Sequence, residues 1–325
     1  MTHRRGALIW PTDFDSYWIE MASRASLSVL ALHPIPELEP AHPSSAEAML
    51  RLLDTDLFKK TSRDLEGERI DLEFEIHAMH LLLPRKHFEV HPEWFRLDEV
   101  GGRSPDRNYC PSREEPSRIV EQEAARLVEQ LAPFTRSHRY FLWIDDNGKY
   151  CHCDQCKALS PSDQALIINN AIMRGVRRAD PEGTSAYLAY QNTISVPTQV
   201  KPEAGLFLEY APIGRDSGFA MDDPACEKNV AEASHIAGLL EFFGKEGSQV
   251  LEYWLDNSRF YRWRPPFGEL PYYPGVLRRD VEFYRSYGFE TQTSFALGLN
   301  REYEASYGEP PIIEYGQILH GRRPA

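Results

Sequence analysis

Short apolar runs recur along the chain, and several of them end at a cluster of polar side chains. Eight runs have the length of a buried strand, and they cover residues 7–10, 27–33, 71–77, 140–144, 185–190, 206–210, 249–255 and 289–296. In an eight-fold β/α barrel the parallel strands are buried, and their carboxyl ends open onto one shared pocket. The pattern therefore predicts an α/β fold, a (β/α)8 TIM barrel, with its active site at the polar strand ends.

Segments with helical spacing separate most of these strands. We predict helices over residues 13–25, 44–64, 118–131, 162–179, 229–243 and 274–287. The second of these begins with a serine cap followed by an acidic residue, and Ser117 is positioned to cap the third. The connection between the fifth and sixth strands carries prolines and is too short for a regular crossover helix, which is the weakest point of the barrel prediction.

The third strand alternates strictly between apolar and acidic or polar side chains. Its apolar row is Leu72, Phe74 and Ile76, and its polar row is Glu73, Glu75 and His77. Because apolar residues should meet the outer helices, we expect the polar row to lie inside the barrel. A long segment without periodicity, residues 81–116, follows this strand, and a loop of that length is more often functional than accidental.

The composition limits the classes of partner. At 325 residues and 42% hydrophobic content, the chain accommodates one barrel of about 250 residues with insertions, and we expect residues 1–325 to form this single domain. A net charge of −13 disfavours nucleic acid as a partner. Residues 1–6 carry no apolar signal segment, and no run approaches the roughly 18 apolar residues of a membrane span. We therefore expect a soluble, cytoplasmic protein.

Two predicted strands end in acidic side chains. Asp145 and Asp146 follow the fourth strand, and Asp256 and Asn257 follow the seventh. Such residues also occur in turns and helix caps, so each one alone does not identify a site. Strands four and seven lie across a barrel from each other, however, and two carboxylates at one rim can flank a glycosidic bond as acid and as base or nucleophile. Glu209 on the sixth strand is a further catalytic candidate.

Aromatic and polar side chains collect at the same strand ends. Flat rings can stack on the apolar face of a sugar, while amide, imidazole and guanidinium groups can bind its hydroxyl or carboxylate groups. Core packing is the more frequent role for aromatic residues, and loop arginines are often solvated. We nevertheless predict a carbohydrate-binding site formed by Trp10, His77, His80, Asp145, Tyr190, Gln191, Tyr210, Arg215, Trp254 and Asn257.

Three of the five cysteines lie close together after the fourth strand. Cys151, Cys153 and Cys156 form a C-x-C-x-x-C motif, whose tight spacing suits tetrahedral zinc bound by thiolates. A closed structural site needs a fourth ligand, which Cys110 in the long loop could supply. A loop-pinning disulfide and plain reduced thiols are the alternatives, and a catalytic zinc fits less well. No other cofactor is required by the residues identified.

Five short motifs between residues 77 and 258 resemble one family. They are HAMHLLLP at residues 77–84, HPEWF at 91–95, NYCPS at 108–112, CHCDQCKAL at 151–159 preceded by Asp146, and YWLDNS at 253–258. The set resembles the domain-of-unknown-function family DUF4838, over a range from about Ile70 to the C-terminus. The cysteine motif with its preceding aspartate is the most specific part of the resemblance.

The resemblance implies a barrel related in appearance to those of α-glucuronidases and β-hexosaminidases, and it suggests glycoside hydrolysis. By position, Asp146 matches the family's rim aspartate, which favours it as the general acid. Larger relatives often carry an N-terminal β-rich domain and further C-terminal modules, neither of which we expect here. Because no export signal is recognised in the sequence, we expect an intracellular enzyme that acts on short, imported sugars.

The leading hypothesis is a glycoside hydrolase acting on a small glycoside or oligosaccharide. Asp146 would donate the proton, and Asp256 or Glu209 would serve as base or nucleophile. One alternative is a divalent-metal-dependent sugar isomerase or epimerase with His77, Asp146, Glu209 and Asp256 as ligands. Another is a non-catalytic carbohydrate-binding barrel. The sequence leaves open the sugar, the stereochemical outcome and whether the chain forms homo-oligomers.

Overall fold

The predicted barrel is confirmed by the strand order. In this computed structural model, which describes residues 3–35, 42–105, 108–146 and 148–321, eight strands pair in parallel and in chain order until the last strand pairs with the first. The strands are β1 (Arg4–Ile9), β2 (Val29–Leu32), β3 (Asp71–His77), β4 (Arg139–Trp143), β5 (Thr184–Ala189), β6 (Leu206–Tyr210), β7 (Gln249–Glu252) and β8 (Thr291–Phe295). A closed ring of parallel strands is the (β/α)8 TIM barrel.

Helices follow the strands along the chain. They are α1 (Ser16–Arg24), α2 (Ala46–Leu52), α3 (Asp56–Gly67), α4 (Met79–Leu82), α5 (Glu114–Leu131), α6 (Pro161–Ala179), α7 (Glu227–Ala233), α8 (Ile236–Phe243), α9 (Asn257–Phe260), α10 (Pro274–Tyr287), α11 (Arg301–Tyr307) and α12 (Ile312–His320). Within the part of the chain that the structure describes, no helix is both long enough and apolar enough to cross a bilayer.

Some helix boundaries differ from the predicted ones for identifiable reasons. The predicted helix over residues 44–64 is divided into α2 and α3, because the Thr55 side chain caps a new helix by accepting a hydrogen bond from the Phe58 amide at 3.2 Å. Ser117 does not cap α5, which begins earlier. Ser117 lies within the first turn of α5, and its hydroxyl donates to the Arg113 carbonyl at 3.0 Å. The predicted helix over residues 229–243 is likewise two helices, α7 and α8.

The alternation of β3 places its polar row inside the barrel, as predicted. Glu73 and Glu75 are fully buried there, and they join a stack of polar side chains that runs along the lower barrel axis. We call this stack the polar column, and it consists of Arg4, Glu73, Glu75, Arg139, Glu209 and Gln249. Burying charged groups is costly unless they are paired, so the column requires the partners described next.

Ion pairs and amide hydrogen bonds connect the polar column from β1 to β7. The Arg4 guanidinium lies 2.8 Å from Glu73 Oε1, and the Arg139 Nε atom lies 3.6 Å from the same oxygen. Arg139 also donates to Gln249 Oε1 at 3.0 Å, and the Gln249 amide donates to Glu209 Oε1 at 2.8 Å. The contacts of Arg4 with Glu73 and of Arg139 with Gln249 cross the barrel interior and link strands that are not neighbours in the sheet, whereas the other two link neighbouring strands.

An apolar layer covers the polar column toward the carboxyl ends of the strands. Phe141 and Trp143 from β4 and Leu251 from β7, each beyond a column residue of its own strand, belong to this layer. The Trp143 indole N–H donates downward to Glu209 Oε2 at 2.7 Å, which ties the layer to the column. The ring of Trp143 therefore has a fixed height and orientation in the barrel.

Helices α5 and α6 pack against each other at a glycine. A Cβ atom added to Gly175 on α6 would lie 2.3 Å from the Glu121 carbonyl oxygen and 2.8 Å from the Ala124 methyl group of α5. The first contact is with backbone, which cannot move aside as a flexible side chain can. This close approach matters for the site because α5 and α6 follow the loops after β3 and β4.

The first prediction concerns this helix contact. Gly175→Ala should lower the free energy of unfolding by about 1–3 kcal/mol or more, since the added methyl group forces the two helices apart. Urea denaturation followed by circular dichroism measures the change. The matched control is Gly275→Ala in α10, where an added Cβ meets nothing within 4 Å. That variant should be unchanged or more stable by about 0.5–1 kcal/mol. Equal effects of the two substitutions would contradict the proposed contact.

Candidate active site

A cavity of about 500 Å³ opens at the carboxyl ends of the strands. Its volume lies within the range of about 300–1,000 Å³ that is typical of small-molecule sites. The predicted site residues that line it are Trp10, His77, Asp146, Tyr190, Gln191 and Asp256. Because β/α barrels carry their active sites at this end of the strands, the cavity is the candidate active site.

Asp146 lies just beyond β4 on one side of the cavity. Its Oδ1 atom accepts hydrogen bonds from the Tyr190 hydroxyl at 2.8 Å and from the Gln191 amide at 3.2 Å. Gln191 has a φ of +49°, a left-handed conformation that non-glycine residues seldom adopt. This backbone conformation places the amide beside Asp146, so that one carboxylate oxygen has two hydrogen-bond donors.

Asp256 lies beyond β7 and is 2% exposed. Its Oδ1 atom accepts hydrogen bonds from the Ser258 hydroxyl at 2.6 Å and from the Arg259 amide at 3.3 Å, so the side chain also caps α9. Burial nevertheless raises the pKa of Asp256 to about 6, because removal from water disfavours the charged form more than these donors favour it. Asp256 therefore holds a proton more readily than an ordinary aspartate does.

Two histidines and a tryptophan form the floor of the cavity. His77 Nδ1 lies 2.6 Å from the Ile144 carbonyl oxygen, and His33 Nδ1 lies 2.9 Å from the Glu75 carbonyl oxygen. A carbonyl oxygen only accepts, so each ring carries a proton on Nδ1, and Nε2 is an acceptor when the ring is neutral. Both rings pack against Trp143, with centroid distances of 5.1 Å for His77 and 5.6 Å for His33. Burial lowers the pKa of His33 to about 3, so this ring stays neutral.

Aromatic rings form much of the cavity wall. Tyr253 and Phe295 stack with their centroids 5.3 Å apart, and Trp10 lines the cavity from β1's end. Trp263 lines the rim and is 59% exposed. Its φ of +55° is left-handed, as is that of the preceding residue. Strained backbone and an exposed indole at one rim are features of ligand-binding loops.

Two residues of β6 do not reach the cavity. Glu209 belongs to the polar column below Trp143, with its two oxygens accepting from Trp143 and Gln249. Its pKa is raised to about 8, chiefly by burial, so it is largely protonated at neutral pH. Tyr210 is buried between the barrel and the outer helices. We therefore no longer assign Glu209 as base or nucleophile, or Tyr210 as a sugar contact.

Arg215 and Trp254 belong to a buried ion-pair cluster outside the barrel wall. The Arg215 guanidinium lies 2.6 Å from Glu252 Oε1 and 2.7 Å from Asp280 Oδ2. The Trp254 indole donates to the same Asp280 oxygen at 2.9 Å. Arg215 is 2% exposed, so it cannot meet a substrate carboxylate in the cavity. The prediction that these two residues bind sugar is corrected to a role in packing α10 against the barrel.

Three further predicted contacts lie beside the cavity without lining it. Asp145 pairs with Arg85 at 2.6 Å, and its backbone amide donates to the Asn108 side chain at 3.0 Å. His80 lies 3.6 Å from Glu47, and the Asn257 amide donates to the Gly268 carbonyl at 2.9 Å. These side chains hold loops together, so we no longer place them in contact with the sugar.

Several cavity residues were not among the predicted site residues. They are His33, Trp143, Tyr253, Trp263 and Phe295. His33 and Tyr253 stand at the ends of apolar runs, so the rule that selected His77 and Asp256 could also have selected them. Trp143 and Phe295 look like core residues in the sequence, and only the depth of the cavity reveals them as lining residues.

The sequence comparisons identify one family. The model described as "Domain of unknown function (DUF4838)" matches residues 49–294. The match includes all the resemblance motifs. It begins upstream of Ile70, where we expected it to start, and it ends at residue 294 rather than at the C-terminus. No curated protein sequence matches the chain.

Solved glycosidase barrels share the fold. A cold-adapted β-galactosidase from Rahnella sp. R3 has 13% identity and a TM-score of 0.60 over 98% of this chain and 56% of its own. A GH42 β-galactosidase from G. stearothermophilus has 11% identity and a TM-score of 0.57 over 98% of this chain and 56% of its own. The GH20 modules of a pneumococcal exo-β-D-N-acetylglucosaminidase have 11% identity and a TM-score of 0.50 over 99% of this chain and 83% of theirs. At these identities the likeness shows the fold, and this chain spans about half the length of the two β-galactosidases.

The second prediction tests the structural role of Arg215. Arg215→Met should lower the free energy of unfolding by about 3–5 kcal/mol, because it leaves the buried Glu252 and Asp280 without their cation. Urea unfolding measures the loss. The control is Arg178→Met, an exposed arginine on α6 that should change stability by less than about 0.5 kcal/mol. A variant of Arg215 with wild-type stability that loses only affinity for uronic acids would restore the original assignment.

Proposed function

We propose that this chain, which belongs to the DUF4838 family, is a glycoside hydrolase acting on a small glycoside or oligosaccharide. The observation that carries the proposal is the placement of two carboxyl groups, Asp146 beyond β4 and Asp256 beyond β7, on one aromatic-lined cavity. Glycosidic cleavage needs two such groups, one to protonate the leaving oxygen and one to act at the anomeric carbon directly or through water. The glycosidase barrels with the same fold are consistent with this reaction class.

The surroundings of the two carboxyl groups differ, and we assign their roles from that difference. Asp256, with a pKa of about 6, holds the proton that the leaving oxygen needs. Asp146 accepts from Tyr190 and Gln191 and serves as the anionic nucleophile or base. This assignment reverses the roles expected from the sequence, where Asp146 was the general acid.

The cavity suits an uncharged sugar ring. Among the described residues that line it, no lysine or arginine is present to pair with a substrate carboxylate. The rings of Trp10, Trp143 and Tyr253 offer flat surfaces for the C–H faces of a sugar, while His77 Nε2 offers an acceptor for a hydroxyl. We therefore favour a neutral glycoside over a uronic acid.

The isomerase alternative needs His77, Asp146, Glu209 and Asp256 around one ion. Glu209 lies under Trp143, outside the cavity. Among the described residues, the groups of His, Cys, Asp and Glu close enough to share an ion contain only cysteines. The ligand set that this alternative requires is therefore not assembled at the cavity.

The third prediction concerns turnover of aryl glycosides. Asp146→Asn and Asp256→Asn should each reduce kcat/KM by about 100- to 10,000-fold, because each removes one of the two groups that act on the glycosidic bond. A panel of nitrophenyl glycosides, with galactosides, glucosides, mannosides and N-acetylglucosaminides, provides the assay. Asp64→Asn, on the exposed side of α3, is the matched control and should keep wild-type activity.

The same variants decide between the roles and between enzyme and binding protein. The dinitrophenolate ion departs from an activated glycoside without being protonated. Dinitrophenyl glycosides should therefore restore much of the rate of Asp256→Asn and little of the rate of Asp146→Asn. The opposite pattern would return the acid role to Asp146. Sugar binding by the wild type without turnover of any substrate in the panel would favour the carbohydrate-binding barrel instead.

The fourth prediction is a pH profile. A general acid works in its protonated form, which is present below its pKa and lost as the pH rises through it. With nitrophenyl substrates, kcat/KM should therefore fall above about pH 6, approaching tenfold per pH unit. With dinitrophenyl substrates this alkaline decline should disappear. An alkaline limb of equal steepness with both leaving groups would rule out Asp256 as the acid.

A further inference from the structure

We propose that Cys110, Cys151, Cys153 and Cys156 bind one zinc ion, a site separate from the cavity and independent of the proposed hydrolase activity. The four Sγ atoms lie within 4.8 Å of one another, and all four side chains are buried. Cys110 Sγ lies 3.4 Å from Cys151 Sγ, 3.6 Å from Cys153 Sγ and 3.8 Å from Cys156 Sγ. Four sulfurs around zinc, each about 2.3 Å from the metal, are about 3.8 Å apart in a tetrahedron.

The convergence of these thiols is not explained by chain proximity. Cys151, Cys153 and Cys156 belong to the loop after β4, whereas Cys110 arrives from the loop after β3. All five cysteines of the chain are free thiols in the structure, and Cys226 lies apart from the group of four. Four thiols from two loops that point to one centre match a closed tetrahedral site.

Hydrogen-bond donors surround the sulfur atoms. The Leu97 amide donates to Cys151 Sγ at 3.3 Å, and the Ser112 hydroxyl lies 3.1 Å from Cys110 Sγ and 3.7 Å from Cys153 Sγ. A backbone amide and a hydroxyl beside the ligand atoms are outer-shell partners of the kind that orient the ligands of metal sites.

The cysteine loop is also held to the barrel by a buried glutamine. Gln164 on α6 accepts from the Cys151 amide at 2.9 Å and donates to the carbonyls of Cys151 and Cys156 at 3.0 and 3.1 Å. The side chain thereby fixes the backbone at both ends of the C-x-C-x-x-C motif. The ligands from this loop are thus positioned before an ion arrives, which reduces the ordering cost of binding.

The proposed ion connects the loop after β3 to the loop that carries Asp146. Asn108, two residues before Cys110, accepts a hydrogen bond from the Asp145 backbone amide at 3.0 Å. Zinc at the four cysteines would hold this segment against the end of β4, next to the cavity. Its role is structural, because all four of its positions are filled by protein ligands.

The fifth prediction is the metal content of the purified chain. Protein expressed without added chelator should contain about one zinc ion per chain, measured by inductively coupled plasma mass spectrometry. Cys110→Ser and Cys153→Ser should each lose most of it, while Cys226→Ser, which alters a buried cysteine outside the group, should keep it. Wild-type protein with no more zinc than the Cys110→Ser variant would overturn the proposal, as would iron in place of zinc.

Three further measurements keep the test decisive if a cysteine variant folds poorly. Wild-type protein grown with cobalt should show the strong visible absorption bands of a tetrahedral cobalt thiolate site, and their absence overturns the proposed geometry. Removal of zinc by a chelator should lower the melting temperature by about 5 °C or more, with recovery on adding zinc. Intact-mass analysis that finds the thiols joined as disulfides in the native protein would establish the competing assignment.

Discussion

The contact between Glu209 and Trp143 sets the depth of the candidate active site. Below this contact, the polar column fills the barrel with charged and polar side chains. They are stable there only as a connected set, because a buried charge without its partner costs free energy. Burial and the neighbouring acids raise the pKa of Glu75 well above its usual value, and burial raises the pKa of Glu209 to about 8. Arg4 and Arg139 both lie against Glu73, and Arg4 also pairs with Asp71.

Above this contact, the barrel changes from a packed core to an open cavity. Trp143 closes the column and presents its ring to the cavity, with His33 and His77 held against it by carbonyl hydrogen bonds. The carboxyl groups of Asp146 and Asp256 lie above that floor, beyond the last paired residues of their strands. A carboxyl group on a barrel strand is thus structural or available to a ligand according to its height relative to Trp143.

The sequence predicted the direction of many side chains but not their depth. Alternation along β3 placed Glu73, Glu75 and His77 inside the barrel, and the structure confirms this. The same rule along β6 and β7 places Glu209 and Tyr253 inside and turns Tyr210 and Trp254 outward, so the two wrong aromatic assignments were avoidable. The depth of a side chain in the barrel could not be predicted, because it depends on how far each strand extends past its neighbours. Glu209 differs from a cavity residue by one layer of side chains.

Contacts between loops were the least predictable feature of the sequence, for a related physical reason. Arg215 follows β6 just as Asp146 follows β4, yet it folds back to pair with Glu252 and Asp280, acids that are distant in sequence. Local pattern cannot distinguish a loop cation that faces a ligand from one that neutralises a buried acid, because both stand at a strand end. Cysteines are different, since four thiols of defined spacing have few other reasons to converge. The loops after β3 and β4 could therefore be joined from the sequence through Cys110, whereas the loop after β6 could not be placed at all.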